Sequence, residues 1–270
     1  MRKLKLSCLV LTVILLSIVS CNNITDPNDI STGETNIELT KVGGKFPGRL
    51  YTDVYNPDFD RIQDTTTIVS NDNGIITFQH SSVFDTLFVK AMDTALGVSS
   101  FPIEFKKPFI DKYLKRFGAT LDTSDKSKIR ITANVKVKIT SEGIQEFVSS
   151  NGDLSQPHTL VKYSWEVGHV YEYTNVDGVK VKRTVTSKST TDDYPIGFWL
   201  IKVTKVEETK EDPILEKITY FTNHKFGLVG VVIKNKNGKE LKLGIIPPNL
   251  WQIEIDYFYD NLLKKVEYLN

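Results

Sequence analysis

Lys217–Lys234 reads KITYFTNHKFGLVGVVIK and is the most insistently apolar and β-branched run beyond the first twenty residues. Ile218, Tyr220 and Thr222 alternate with Thr219, Phe221 and Asn223, and both sets carry large groups, the pattern of a strand covered on two sides. Gly227 and Gly230 interrupt the run, and turns select Asn and Gly. The stretch therefore predicts a central β-hairpin, with Asn223 and His224 as turn residues rather than ligands. Gly227 and Gly230 mark places where the sheet bends or another backbone comes close.

Outward from this hairpin the same period continues in both directions. Strands are predicted at Thr159 to Trp165, His169 to Thr174, Val179 to Ser187, Ile196 to Val206, Ile214 to Asn223, Phe226 to Asn235 and Leu241 to Ile246. Asp177-Gly178 and Asn237-Gly238 supply tight turns, and sequential antiparallel pairing joins such a series most simply. Trp251, Ile253, Ile255, Tyr257 and Tyr259 alternate once more, and Leu262 to Leu269 suits a short helix.

Earlier in the chain, Lys128 to Thr140 separates its two faces completely. Ile129, Ile131, Ala133, Val135, Val137 and Ile139 point one way; Lys128, Arg130, Thr132, Asn134, Lys136 and Lys138 point the other. Arg130, Lys136 and Lys138 are candidate contacts for an anionic surface, either lipid headgroups or polysaccharide. Exposed Lys also guards a strand edge against unwanted pairing.

Strands at Leu50 to Tyr55, Ile62 to Val69 and Gly74 to Gln79 precede it, with a hairpin at Asn73-Gly74. Between these strands and Lys128, two helices are expected. The first has Ser81 and Ser82 as caps, Phe84, Leu87, Phe88, Ala91, Met92 and Ala95 at helical spacing, and Gly97 beyond. The second runs from Pro108 through Phe109, Tyr113, Leu114 and Phe117 to Gly118. The predicted fold class is α+β: a mostly antiparallel, curved β-sheet meander with two inserted helices.

The chain opens with Arg2, Lys3 and Lys5 before an apolar run from Leu6 to Ile18, too short to span a bilayer as a stable helix. It ends in Ile18-Val19-Ser20-Cys21, which resembles the lipobox of bacterial lipoproteins. That resemblance implies a signal peptide over 1–20, lipidation of Cys21, and a membrane partner reached through the anchor. Asn at position 22, under the enterobacterial sorting rule, implies the outer membrane. Cys8 and Cys21 are the only cysteines, so the mature chain is expected to hold no disulfide. Residues 21–38 are polar, with Pro27 and Gly33, and read as a flexible tether. The β-rich domain is placed at 39–270, with a possible sub-boundary near 120–160.

Lys41-Val42-Gly43-Gly44-Lys45-Phe46 is similar to Glu166-Val167-Gly168-His169-Val170-Tyr171, each opening a β-rich half. Trp165 to Tyr173, together with Phe226-Gly227-Leu228-Val229, resembles the W-x-V-G-D-x-Y and G-V-G-L-V signposts of uncharacterised β-rich envelope lipoproteins. Here His169 stands where that pattern has Asp.

Without the leader's three cations, 31 Lys plus Arg face 33 Asp plus Glu, a balance that suggests no nucleic-acid partner. No G-x-S-x-G or H-E-x-x-H occurs, and His80, His158, His169 and His224 are scattered. Asp58, Asp60 and Asp64 lack the Gly and Glu of a calcium loop. No cofactor or metal is therefore expected. The reading is a membrane-anchored envelope lipoprotein with a non-enzymatic binding or structural role, its partner an envelope protein. Two alternatives stand beside it: a carrier holding a hydrophobic ligand in a curved sheet closed by the two helices, and a hydrolase using Asp192 and Asp193.

Overall fold

The computed structural model describes residues 29–46, 48–52, 63–85, 111, 114–125, 128–196 and 199–245. Two antiparallel sheets hold most of them. The first takes β1 (Lys45–Phe46), β3 (Gln63–Asp72), β4 (Ile75–Asp85), β6 (Lys128–Thr140), β7 (Gly143–Glu146) and β8 (His158–Lys162) in that order, with β5 (Ala119–Asp122) alongside β6. In the second, β9 (Val170–Thr174), β10 (Lys180–Lys188), β13 (Thr204–Lys210), β14 (Leu215–Asn223), β15 (Gly227–Asn235) and β16 (Glu240–Ile245) follow one another, and β2 (Gly48–Thr52) closes the far edge. A small hairpin, β11 (Tyr194–Ile196) and β12 (Trp199–Ile201), is inserted between β10 and β13.

The sheets face each other across a shared core, and a second, smaller cluster gathers Ile201, Val203 and Val229. Ile68, Ile76, Ile139, Ile144, Leu160 and Val161 from the first meet Val185 and Val206 from the second, with Trp165 among them. Most are alternate residues of their strands, whose burial commits each strand's facing, while Leu160 joins Val161 where the β7–β8 register shifts. The opening stretch forms β14 and β15, a hairpin in mid-sheet, and Asn223 builds its turn by accepting from the Lys225 and Phe226 amides.

The α+β expectation is corrected: the chain is mostly antiparallel β-sheet rather than a sheet with two inserted helices. Ser81, Ser82 and Phe84, read as the cap and first turn of a helix, are strand residues of β4 opposite Thr132, Ile131 and Ile129 of β6. Pairing along the whole of β6 holds β4 extended to Asp85, and this non-local partner overrides the local helical spacing. The rest of that predicted helix lies outside the described residues. Of the second, Asp111 and 114–116 are helical. The expected closure of a curved sheet by two helices falls with this correction. The strand and helix predicted beyond 250, and Asp58 and Asp60, lie outside the described residues.

Residues 29–38, read as part of a tether, are folded. Ile30 is fully buried, and Ile37 and Leu39 join the core. Thr140 Oγ1 donates to the Ile30 carbonyl at 2.9 Å, Lys162 Nζ to that of Asp29 at 3.0 Å, and the Ser141 amide to that of Glu34 at 2.9 Å. The segment is a strap across one end of the first sheet.

The two sheets also open alike. Thr40 and Trp165 donate amides to Ile37 and Lys162; Gly44 and His169 donate to Lys41 and Glu166. Gly43 and Gly168, at φ +86° and +92°, donate to the Ile68 and Val185 carbonyls, whose own amides return to Gly44 and His169. That left-handed backbone is why both motifs carry Gly. Ile68 and Val185 are each followed by a register shift, before Ser70 and before Ser187. Lys41-Val42-Gly43 and Glu166-Val167-Gly168 thus begin two meanders built on one plan.

Candidate functional site

Strand parity separates the faces of the first sheet. Ile68, Phe78, Val137 and Ile139 enter the core, so Thr67, Gln79, Asn134 and Lys136 stand on the outer side. Arg130 and Lys136 are exposed there. Lys138 is not equivalent to them: its side chain is only 19% exposed, and the strap brings Asp29 to 3.9 Å from its ammonium. The three candidate cations therefore share one face, but only two are open.

Between them lies a cleft of about 540 Å³. Thr67, Gln79, Ser81, Thr120, Thr132 and Asn134 line it from the outer side, together with His80, Ala133 and Gly118. The register sets these in rows across the strands: Thr67, Gln79 and Asn134 in one, Ser81, Thr132 and Thr120 in the next. Thr120 and Thr132 hydroxyls bond each other at 2.6 Å.

Asp192 and Asp193 are exposed at the entry to the β11–β12 hairpin. Asp193 accepts from Ser189 Oγ at 2.6 Å, which makes it a turn-closing group. The histidines remain apart: His80 lies between Thr66 and Ser82, His158 stacks on Tyr173, His169 stacks on Trp165, and His224 meets the edge of Tyr163. No group of three His, Cys, Asp or Glu gathers as a metal site among the described residues. Cys21 lies outside them.

An ion cluster that sequence reasoning passed over joins the sheets. Arg183 on β10 is 2% exposed; its Nε donates to Glu208 Oε2 at 2.9 Å, one terminal nitrogen to Glu146 Oε1 at 2.9 Å, and the other to the Thr159 carbonyl at 2.9 Å. Tyr220 and Tyr173 hydroxyls donate to Glu208 and Glu146, Lys210 stands 3.6 Å from Glu208, and the guanidinium lies over the Tyr173 ring. Glu146 belongs to the first sheet and Arg183 and Glu208 to the second, so the cluster bolts them together. Burial works against the charge on Arg183, but Glu208, Tyr173 and Glu146 more than offset it and hold the guanidinium protonated. Burial likewise pushes the Tyr173 and Tyr220 hydroxyls up, so both stay neutral donors. With its carboxylates satisfied and enclosed, the cluster suits a structural role.

No protein-family model matches the chain, and no curated protein matches it. Among solved structures it is similar to a "putative exported protein with YmcC-like fold" from Bacteroides fragilis, at 6% identity and a TM-score of 0.38, covering 77% of this chain and 96% of that one. It is also similar to a "putative lipoprotein" from Parabacteroides distasonis, at 9% identity and a TM-score of 0.40, covering 78% and 98%. Superposition this loose carries no functional argument.

Proposed function

We propose that the protein is a lipid-anchored component of the bacterial cell envelope whose folded part binds a partner rather than catalysing a reaction. The observation that carries the proposal is the order Arg2-Lys3-Lys5, apolar run, Ile18-Val19-Ser20-Cys21, with no cysteine after it. The thiol at the end of that run stands where the lipobox resemblance puts the acylated cysteine. Asn22 favours the outer membrane as the destination. The open polar face with Arg130 and Lys136 supports binding as the role. Cys21→Ala tests the anchor: the variant is expected in the soluble fraction of lysed cells, and the wild-type protein in the membrane pellet with its amino terminus at a diacylglyceryl cysteine. Retention of the variant in the pellet, or a mature terminus elsewhere by mass spectrometry, would refute it.

A further inference from the structure

We infer that the cleft on the outer face of the first sheet is a binding site for an acidic glycan, a chain of sugars carrying carboxylates. This rests on the reading of the protein as an envelope binding domain and names the ligand class.

The cleft's chemistry comes first. Gln79 and Asn134 sit directly opposite each other across β4 and β6, and neither side-chain amide bonds another group among the described residues. Each offers two N–H donors and one carbonyl acceptor, and the neighbouring hydroxyls of Thr67 and Ser81 both donate and accept. A ligand matched to such a wall must itself donate and accept at many points, as sugar hydroxyls do. A hydrocarbon chain would leave every one of these groups desolvated and unpaired.

The charges are arranged along a line. Alternate residues of a strand recur about every 7 Å, so Arg130 and Lys136 stand roughly 20 Å apart with Thr132 and Asn134 between them. Cations converging on one point would suit a single phosphate; cations bracketing a row of hydroxyls and amides suit an extended ligand with anionic groups at intervals. Lys136 has no ion-pair partner among the described residues, whereas Arg130 lies opposite Asp122, which takes part of its charge. Lys136 therefore contributes the larger share of the attraction.

The test is calorimetric titration of the full mature protein, prepared as Cys21→Ala, with hexagalacturonate, with neutral maltohexaose, and with vesicles of three parts phosphatidylcholine to one of phosphatidylglycerol. Hexagalacturonate is expected to bind at least about tenfold more tightly than maltohexaose. Asn134→Ala and Gln79→Ala should each weaken it by about tenfold, the effect of one lost hydrogen-bonded group. Lys136→Gln should weaken it about fivefold and flatten its dependence on salt, with all three variants melting like the parent. Absence of hexagalacturonate binding at millimolar concentration, indifference to Asn134→Ala, or equal affinity for maltohexaose overturns the inference. Vesicle binding lost on Asn134→Ala would reassign the cleft to lipid headgroups and overturn it as well. Because the titration needs no acyl chain, its failure leaves the Cys21 fractionation result untouched, and the reverse holds.

Discussion

Arg183 is the residue on which the joint between the sheets depends. Two carboxylates and two backbone carbonyls accept from it in a space closed to water, so removing the cation leaves Glu146 and Glu208 buried beside each other. Arg183→Met should cost about 3–5 kcal/mol, a large part of an ordinary domain's stability, read as a lower urea midpoint. A loss under about 1 kcal/mol would mean the carboxylates reach solvent. The cluster also sets a direction for pH. Burial pushes Glu146 up, but the charge of Arg183 and the hydrogen bonds from Ser149 outweigh it, holding the carboxyl below its ordinary 4.5. Burial pushes His158 below its ordinary 6.5 against the opposing pull of Glu146, with Arg183 adding to the depression. For both groups the folded value lies under the unfolded one, so the stabilisation is full above the unfolded value and is lost as pH falls through the folded one. The melting temperature should slip below about pH 6.5 and again below about pH 4.5, and His158→Gln should remove the first decline while leaving the second. Arg183 was legible in one respect: it occupies the inward parity of Val181-Arg183-Val185. Its partners on β7 and β13 were not, because which strands face each other is decided far along the chain.

At the scale of elements, local signals were read well where the physics is local. β6 alternates as its period demands, and Asn73-Gly74 turns β3 into β4 with φ of +50° and +88°. The Asp177-Gly178 and Asn237-Gly238 turns have a further part the dipeptides did not disclose. Asn175 and Asn235 each accept, through Oδ1, the amides two and four residues on, closing the two turns identically. The strap is the opposite case. Its composition is that of a solvated linker, yet three spaced apolar residues suffice to seat it: Ile37 and Leu39 enter the core, and Ile30 is buried beside Gly143. Ile30→Ala should therefore cost about 2–4 kcal/mol by chemical denaturation, as for a core isoleucine, where a tether residue would cost nothing. A change below about 0.5 kcal/mol would return the segment to linker status.

Across the whole molecule, the meander was legible and its division was not. Neighbouring strands pair in order, as short turns dictate, but the chain changes sheets between β8 and β9, and β2 reaches across to β16, pairings no local pattern encodes. The repeated Val-Gly motif was the trace of that division, since each copy begins one sheet. The strap finally bears on mechanics. With a lipid on Cys21, residues 22–28 allow at most about 28 Å between the anchor and Asp29, so membrane motion becomes tension at the strap. Tension applied there acts on Asp29 and Ile30 before it reaches any strand. The strap would peel first, paying out roughly 35 Å of chain from residues 29–38 while the ladders of both sheets hold. Pulled between Cys21 and Asn151, single molecules should show this short, low-force extension ahead of the main rupture, and a first event that already unravels β6 would contradict it. In that geometry a chain anchored at Cys21 would carry a fuse between anchor and fold.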